Sequence, residues 1–323
     1  MSNLTVAVLA PNGYTDNLGK KGTTSDITFY NLKKGEATVT FIEPTRYPEK
    51  LSSLFYTLSL ADRVVLVVGE INAAFGETVL MLQCAGKSNG YIIFKNYLTP
   101  DQIAPLVQGT VLEHYEPFED DTLDLREKLL DIAVKMTAHQ KVKDSGSNGT
   151  VPIDHHFNVK GVGVVVLGCV AHGTIKKHDS LNVLPTNKTA LVRSIQKHDD
   201  DAEIAVTGDR VGIALKNIEA EDLDRGYVLT NDPAITSATT ISGKAQLVRY
   251  WPAPLKEEMV LYVGHWMQFL PSRLTRVTLG SDWRMPELIL TLEKPLVHPP
   301  GARAVLTYLE GGKLRVVGTL ALP

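Results

Sequence analysis

The chain has 323 residues, 44% hydrophobic and 21% charged, enough for two or three domains with well-buried cores. No apolar run approaches bilayer length, and Met1-Ser2-Asn3-Leu4-Thr5-Val6 lacks the flank and cleavage pattern of a secretion signal, so the reading is cytoplasmic with no membrane partner. A net charge of −3 argues against a general polyanion or DNA binder, yet residues 240–323 hold ten Lys/Arg against six Asp/Glu, leaving +4 there and −7 on residues 1–239. A basic last third on an acidic body suits a local, oriented nucleic-acid contact; an ordinary mixed surface is the alternative. Cys84 and Cys169 lie far apart in apolar runs and read as small buried hydrophobes, not a disulfide.

Leu4–Leu9, Thr38–Ile42, Arg63–Val68 and Tyr91–Phe94 read as strands, separated by helical stretches at Pro48–Leu60, Glu77–Ala85, Pro100–Val107 and Asp120–Met136. This alternation predicts an α/β domain over residues 1–140 with a mostly parallel sheet. The pattern breaks at Gln140–Thr150, where Lys143-Asp144-Ser145-Gly146-Ser147-Asn148-Gly149 has linker composition. Short β-rich runs follow at Gly163–Leu167, Ser180–Leu184, Gly212–Leu215 and Tyr227–Thr230. After Asn231-Asp232-Pro233 come Ala245–Tyr250, Val260–Val263, Arg276–Leu279, Leu288–Leu292, Ala304–Leu309 and Leu314–Leu320. Two all-β barrels are predicted, over residues 151–238 and 239–323.

The middle segment carries the most specific motifs. Val151-Pro152-Ile153-Asp154 runs through Phe157 into Gly161-Val162-Gly163-Val164-Val165-Val166-Leu167-Gly168. Then come His172-Gly173-Thr174-Ile175, Gly208-Asp209-Arg210-Val211-Gly212-Ile213 and Asp222-Leu223-Asp224-Arg225-Gly226-Tyr227-Val228-Leu229. In this order they resemble the second domain of the translational GTPases of the EF-Tu/SelB class. Gly161 and Gly163 can relax a barrel corner, and Gly226 can supply a left-handed turn. Arg210, with Val263-Gly264-His265 and Glu293-Lys294-Pro295 in the last segment, is similar to SelB, closest to the EF-Pyl-type SelB paralogue of methanogenic archaea that use pyrrolysine. The resemblance implies a G-domain with GTP and Mg²⁺, an aminoacyl-tRNA (pyrrolysyl-tRNA by the closest likeness) and the ribosome as partners. SelB proteins continue into a further domain, which in bacterial members binds an mRNA hairpin. A chain ending at Pro323 is expected to lack that route to a recoding signal.

The nucleotide motifs are altered. A phosphate loop of the form G-x-x-x-x-G-K-[ST] meets Gly13-Tyr14-Thr15-Asp16-Asn17-Leu18-Gly19-Lys20-Lys21, with one residue too many between the glycines and Lys21 at the metal-binding hydroxyl's place. Gly13, Gly19 and Lys20 either touch phosphate or belong to a plain strand-to-helix loop. The D-x-x-G-H motif aligns with Glu43-Pro44-Thr45-Arg46-Tyr47, where Arg46 and Tyr47 replace the glycine and histidine; only 22 positions separate Lys21 from Glu43. N-K-x-D becomes Lys95-Asn96-Tyr97-Leu98, without the base-reading aspartate. The remaining nucleotide candidates are therefore Glu43 and Asn96, no catalytic residue is assigned, and the site reads as degenerate. The rival readings are a working GTPase with an unorthodox site and a pseudo-GTPase adaptor for ribosome or protein.

For the tRNA, the resemblance implies that Gln196 and His198 contact the terminal adenosine, while Asp209 and Arg210 line the amino-acid pocket. A surface ion pair is the alternative for the latter two. Arg273, Arg276, Lys313 and Arg315 are the cations expected to meet tRNA phosphates, or to stand solvated on the surface. His155-His156 sits at the start of a barrel strand, where neighbours point to opposite faces and do not share an ion; no metal site is assigned.

Overall fold

β1 (Ser2–Leu9) is buried from Asn3 onward and occupies the centre of a seven-stranded sheet. The computed structural model describes residues 2–143, 148–310, 312 and 314–323. After β1 the chain forms β2 (Lys20–Thr24), β3 (Thr28–Lys34) and β4 (Ala37–Glu43), then α1 (Leu51–Leu60) and β5 (Arg63–Val68). It continues through α2 (Ala73–Cys84), β6 (Gly90–Phe94), α3 (Pro100–Val107), β7 (Glu116–Pro117) and α4 (Thr122–Lys143). The sheet order is β2-β3-β4-β1-β5-β6-β7, parallel from β4 to β7 and antiparallel across β2, β3 and β4. Central strands buried on both faces read as unbroken apolar runs, which is why they were visible in sequence. α4 lays Leu125, Leu129 and Ala133 against Val6, Val39 and Val65, all fully buried. Each such leucine removes enough apolar surface from water to contribute roughly 2 kcal/mol.

The strand-to-helix loop expected at Gly13–Gly22 is corrected by the structure. The chain makes one 3-10 turn (Thr15–Asn17) and then enters the β2–β3 hairpin, so no helix starts behind β1. β2 is an edge strand of polar residues, Lys20-Lys21-Gly22-Thr23-Thr24, largely exposed and without apolar alternation; that absence hid it from the sequence reading.

The following strands are β8 (Thr150–Val159), β9 (Gly163–Cys169), β10 (Thr174–Lys176), β11 (Ser180–Leu184) and β12 (Lys188–Lys197). β13 (Asp200–Ala202), β14 (Ile204–Val206), β15 (Arg210–Lys216) and β16 (Val228–Thr230) complete the set. Six of them close as β11-β16-β8-β9-β15-β12 through the β11–β12 pairing, around an interior of Val151, Ile153, Val166, Leu181, Ile195 and Ile213. Gly226 has φ +88°, the left-handed turn expected of it before the last strand.

β17 (Thr236–Leu247), β18 (Val260–His265), β19 (Gln268–Thr278), β20 (Glu287–His298), β21 (Arg303–Thr307) and β22 (Val316–Ala321) form a second closed barrel in the order β17-β20-β19-β18-β21-β22. The chain is thus a mixed α/β sheet followed by two six-stranded antiparallel barrels. By packing it divides into two units, residues 1–138 with 310–316, and 139–309 with 317–323. Within the second unit the barrels meet through Val228, Ile235, Val297 and Trp266, and Lys294 reaches Asp224 at 3.3 Å. Trp251 is a core residue, edge-on to Tyr308. Among the described residues no helix is long and apolar enough to cross a membrane.

Candidate aminoacyl and nucleotide sites

The most tightly built polar cluster lies on the outer face of the first barrel. Arg210 opens β15 with Cys169 of β9 directly opposite in register. Both terminal nitrogens of Arg210 donate to the carboxylate of Asp154, one of them at 2.9 Å. The Asp154 side chain has no exposed surface and that of Arg210 is 11% exposed. Burial pushes the Asp154 carboxyl up, but Arg210 and His155 outweigh it and hold it below the ordinary carboxylate range. Burial likewise works against the Arg210 charge, and Asp154 overcomes it, raising the pKa.

A second layer fixes the first. His155 Nδ1 lies 2.7 Å from Asp154 Oδ1, and its Nε2 lies 3.5 Å from Arg225 Nη2. Arg225 Nε donates to the main-chain oxygen of Asp154 at 3.0 Å. A guanidinium can only donate, so this arrangement favours the tautomer with the proton on Nδ1, given to the carboxylate. The His155 ring stacks on Phe157 at 6.1 Å and 7°, and Phe157 is 41% exposed. The cluster is a rigid carboxylate–guanidinium floor flanked by an imidazole, a second guanidinium and an open aromatic face.

Sequence reasoning found Arg210 but missed Asp154, and weighed His155 only for a metal site that it did not assign. Gln196 joins the face: it sits opposite Gly212, two positions along β15 from Arg210, and its Nε2 donates to Asp201 at 3.1 Å. His198 follows β12 in a left-handed turn, φ +47°. Asp209 does not pair with Arg210. It is buried, accepts from the Val206 N–H at 2.8 Å and forms an ion pair with Lys197.

In the first unit, a cavity of roughly 420 Å³ opens at the carboxyl ends of β1, β4, β5 and β6. Glu43 and Asn96 both line it, with Asn12, Glu70 and Asn72 beside them. Tyr30 donates to Glu43 at 2.9 Å, and Asn96, with φ +56°, donates to the Gly69 carbonyl at 3.0 Å. Gly13, Gly19 and Lys20 are not in the lining. Gly13 is an exposed turn residue with φ +83°, Gly19 packs against the Asn31 backbone, and Lys20 stands exposed on β2 opposite Asn31. Phosphate binding at the end of a first strand depends on N–H groups converging at a helix start. Here that start is replaced by a hairpin, and the lining carries two carboxylates and neither lysine nor arginine.

Of the expected phosphate contacts, Arg273 is exposed and bound to Glu258 at 2.6 Å, and Arg276 is exposed. Lys313 lies outside the described residues. Arg315 belongs to the first unit and is engaged there, giving 2.8 and 2.5 Å bonds to the buried Glu77 carboxylate and one of 2.9 Å to the Pro48 carbonyl.

Residues 163–230 match the family of elongation factor Tu domain 2. An uncharacterized protein of Methanocaldococcus jannaschii is 40% identical over 232 residues, 72% of this chain and 73% of its own length. The selenocysteine-specific elongation factor of the same organism is 25% identical over 79% of this chain and 58% of its own length. The translation elongation factor SelB of Methanococcus maripaludis, solved with the GTP analogue GppNHp, superposes with TM-score 0.80 at 21% identity over 99% of this chain and 78% of that one. The chain belongs to the SelB-like translation elongation factors. A bacterial selenocysteine-specific factor, EF-Sec, shares the fold with TM-score 0.76 at 16% identity, this chain covering 58% of it. The SelB-like assignment thus rests on both barrels and the sheet, as expected from the glycine motifs of the first barrel.

Proposed function

We propose that this SelB-like factor holds a special aminoacyl-tRNA in the Asp154–His155–Arg210–Arg225 cluster and works without a GTP switch. The observation that carries the reading is the buried Arg210, fixed on two sides by Asp154 on the outer face that also presents Gln196. Such a pre-formed, charge-assisted network presents a fixed polar floor to an aminoacyl group at little further ordering cost. Gln196, His198 and exposed Phe157 are suited to the terminal adenosine by hydrogen bonding and stacking. Arg273 and Arg276 supply the exposed cations for tRNA phosphates, and the ribosome is the partner that delivery requires. Pyrrolysyl-tRNA is the candidate cargo that the family likeness brings.

The first-unit cavity does not fit GTP–Mg²⁺. Glu43 and Glu70 oppose a polyphosphate, Lys20 stands outside the lining, and no helix begins behind β1. The sheet then serves as a scaffold.

The test is equilibrium binding of charged and uncharged tRNA, with His155→Gln and Gln196→Ala as variants. Preference for charged tRNA, weakened about tenfold or more in His155→Gln and unchanged by GTP–Mg²⁺ or GDP–Mg²⁺, is expected. Equal affinity for the two tRNAs, or affinity that depends on GTP, overturns the reading.

A further inference from the structure

We infer that the first-unit cavity is a binding site for a small organic amine, occupying the place at the strand ends where an α/β sheet commonly takes a ligand. Its size, roughly 420 Å³, lies within the range of small-molecule pockets. Its walls are apolar where Leu9, Leu54, Leu66 and Phe75 meet, and polar at the rim.

The hydrogen-bond inventory of the lining decides the ligand's chemistry. Several of its side-chain donors already serve the protein. Tyr47 Oη gives its proton to the Ala74 carbonyl at 2.7 Å, and Thr78 gives its own to Tyr47 at 3.2 Å. Asn72 Nδ2 donates to Glu70 at 3.3 Å while its Oδ1 caps α2 by accepting from the Phe75 N–H at 3.0 Å. Asn96 Nδ2 is committed to Gly69. The two carboxylates keep most of their acceptor capacity. Glu43 receives one bond, from Tyr30, and Glu70 one, from Asn72, and neither carboxylate has a cationic partner among the described residues. A carboxylate accepts about four hydrogen bonds, so most of that capacity is unspent.

Asp16 adds a further negative charge facing Tyr30; Lys21 lies 6.0 Å over the Tyr30 ring and outside the lining, and Arg315, which donates to the Pro48 carbonyl of the lining at 2.9 Å, is paired with the buried Glu77. A site with surplus acceptors and negative potential selects a donor-only cation. A primary ammonium fits both requirements, since it carries three donors and no acceptor. Asn96 of the lining and Tyr97 after it are consecutive non-glycine residues with φ +56° and +61°, and Tyr97 is fully exposed. Strained backbone of this kind persists where a binding loop is held in place.

Isothermal titration of the intact chain with putrescine and spermidine, at low ionic strength, tests the site. Saturable one-to-one binding is expected, weakened at least about tenfold in Glu43→Gln with Glu70→Gln. Glu257→Gln, a single-charge control on the exposed surface of the other unit, is expected to leave it unchanged. Glu70→Gln alone, at an exposed rim position, retains the test should the pair of substitutions impair folding. Nα-acetyl-lysine amide separates a free amine from a lysine side chain as the preferred source. No heat with any amine, equal weakening by Glu257→Gln, or tight GTP–Mg²⁺ binding lost in the Glu70 variant would each overturn the inference.

Discussion

Replacing Arg210 by methionine tests the central cluster most severely, because the cost falls on the residue left behind. Asp154 has no exposed side-chain surface, and its bidentate partner would vanish while His155 alone remained on the carboxylate. Breaking a buried pair from one side costs about 3–5 kcal/mol, a large share of the roughly 5–15 kcal/mol that holds a domain together. The double change Asp154→Leu with Arg210→Met removes both charges and is expected to recover most of that loss, giving a coupling energy of about 2 kcal/mol or more. All three tryptophans, Trp251, Trp266 and Trp283, fall in the second unit, so urea unfolding followed by tryptophan fluorescence reads the effect. The pH dependence has a definite sign. The Asp154 carboxyl is depressed in the folded chain, so its stabilisation is present above the ordinary aspartate pKa, about 4, and is lost as pH falls below it. A single Arg210→Met change costing less than about 1 kcal/mol would refute the claim that the pair is buried and structural.

His265 provides an acid-sensitive point in the second barrel. Burial lowers its pKa from 6.5 to about 4; Nδ1 meets the Arg303 carbonyl at 3.3 Å, Nε2 has no partner, and His298 adds a like charge when protonated. The unfolded chain binds a proton there first, so stability is constant above pH 6.5 and declines toward pH 4, by about 2 kcal/mol at pH 5 from this group. Denaturant melts of the wild type against His265→Gln check this, the variant being expected to show a flatter slope. Gly243→Ala should disrupt closure of the second barrel: the added Cβ would lie 1.9 Å from the Ala321 carbonyl oxygen, and about 1–3 kcal/mol of destabilisation is expected in the same melts. Glu77→Ala should release residues 312 and 314–316, seen as faster amide exchange there, because Arg315 loses two charge-assisted bonds.

The parts legible in sequence were those whose periodicity matched their burial. Arg63–Val68 was read to the residue because every position faces a covered sheet, and Ser180–Leu184 because it alternates cleanly. The β2–β3 hairpin was illegible because β2 is polar throughout and occupies the stretch where the family motif calls for a phosphate loop. A second reason for error was pairing across strands. Asp209 and Arg210 are neighbours in sequence, which suggested a pair, yet Arg210 bonds Asp154, 56 positions earlier, and Asp209 bonds Lys197. Asp154 carried a weak signal of its own: a lone acid in an apolar strand, followed by histidine, in a barrel otherwise rich in valine and isoleucine. A buried charge of that kind requires a partner, and Arg210 and Arg225 were the arginines of the motif available to provide one.

The two halves of the proposed function answer to the same local chemistry. In the first barrel each arginine of the cluster is matched by a fixed acceptor, and the exposed Phe157 ring flanks them. At the strand ends of the first unit the balance is different: several donors serve the protein, and the Glu43 and Glu70 carboxylates keep most of their acceptor capacity. A triphosphate needs converging donors and cations; behind β1 this chain has the β2–β3 hairpin where a helix would start, and Lys20 and Lys21 stand on an exposed edge. On the proposed reading, restoring charge alone is not expected to restore a nucleotide site. Glu43→Lys with Glu70→Lys would put cations in the lining but supply no array of N–H groups at a helix start. The expected outcome is weak, salt-sensitive phosphate binding without discrimination between GTP and ATP. Discrimination of guanine by that variant would show that the base-reading and phosphate-cradling parts of the site survive in the hairpin form.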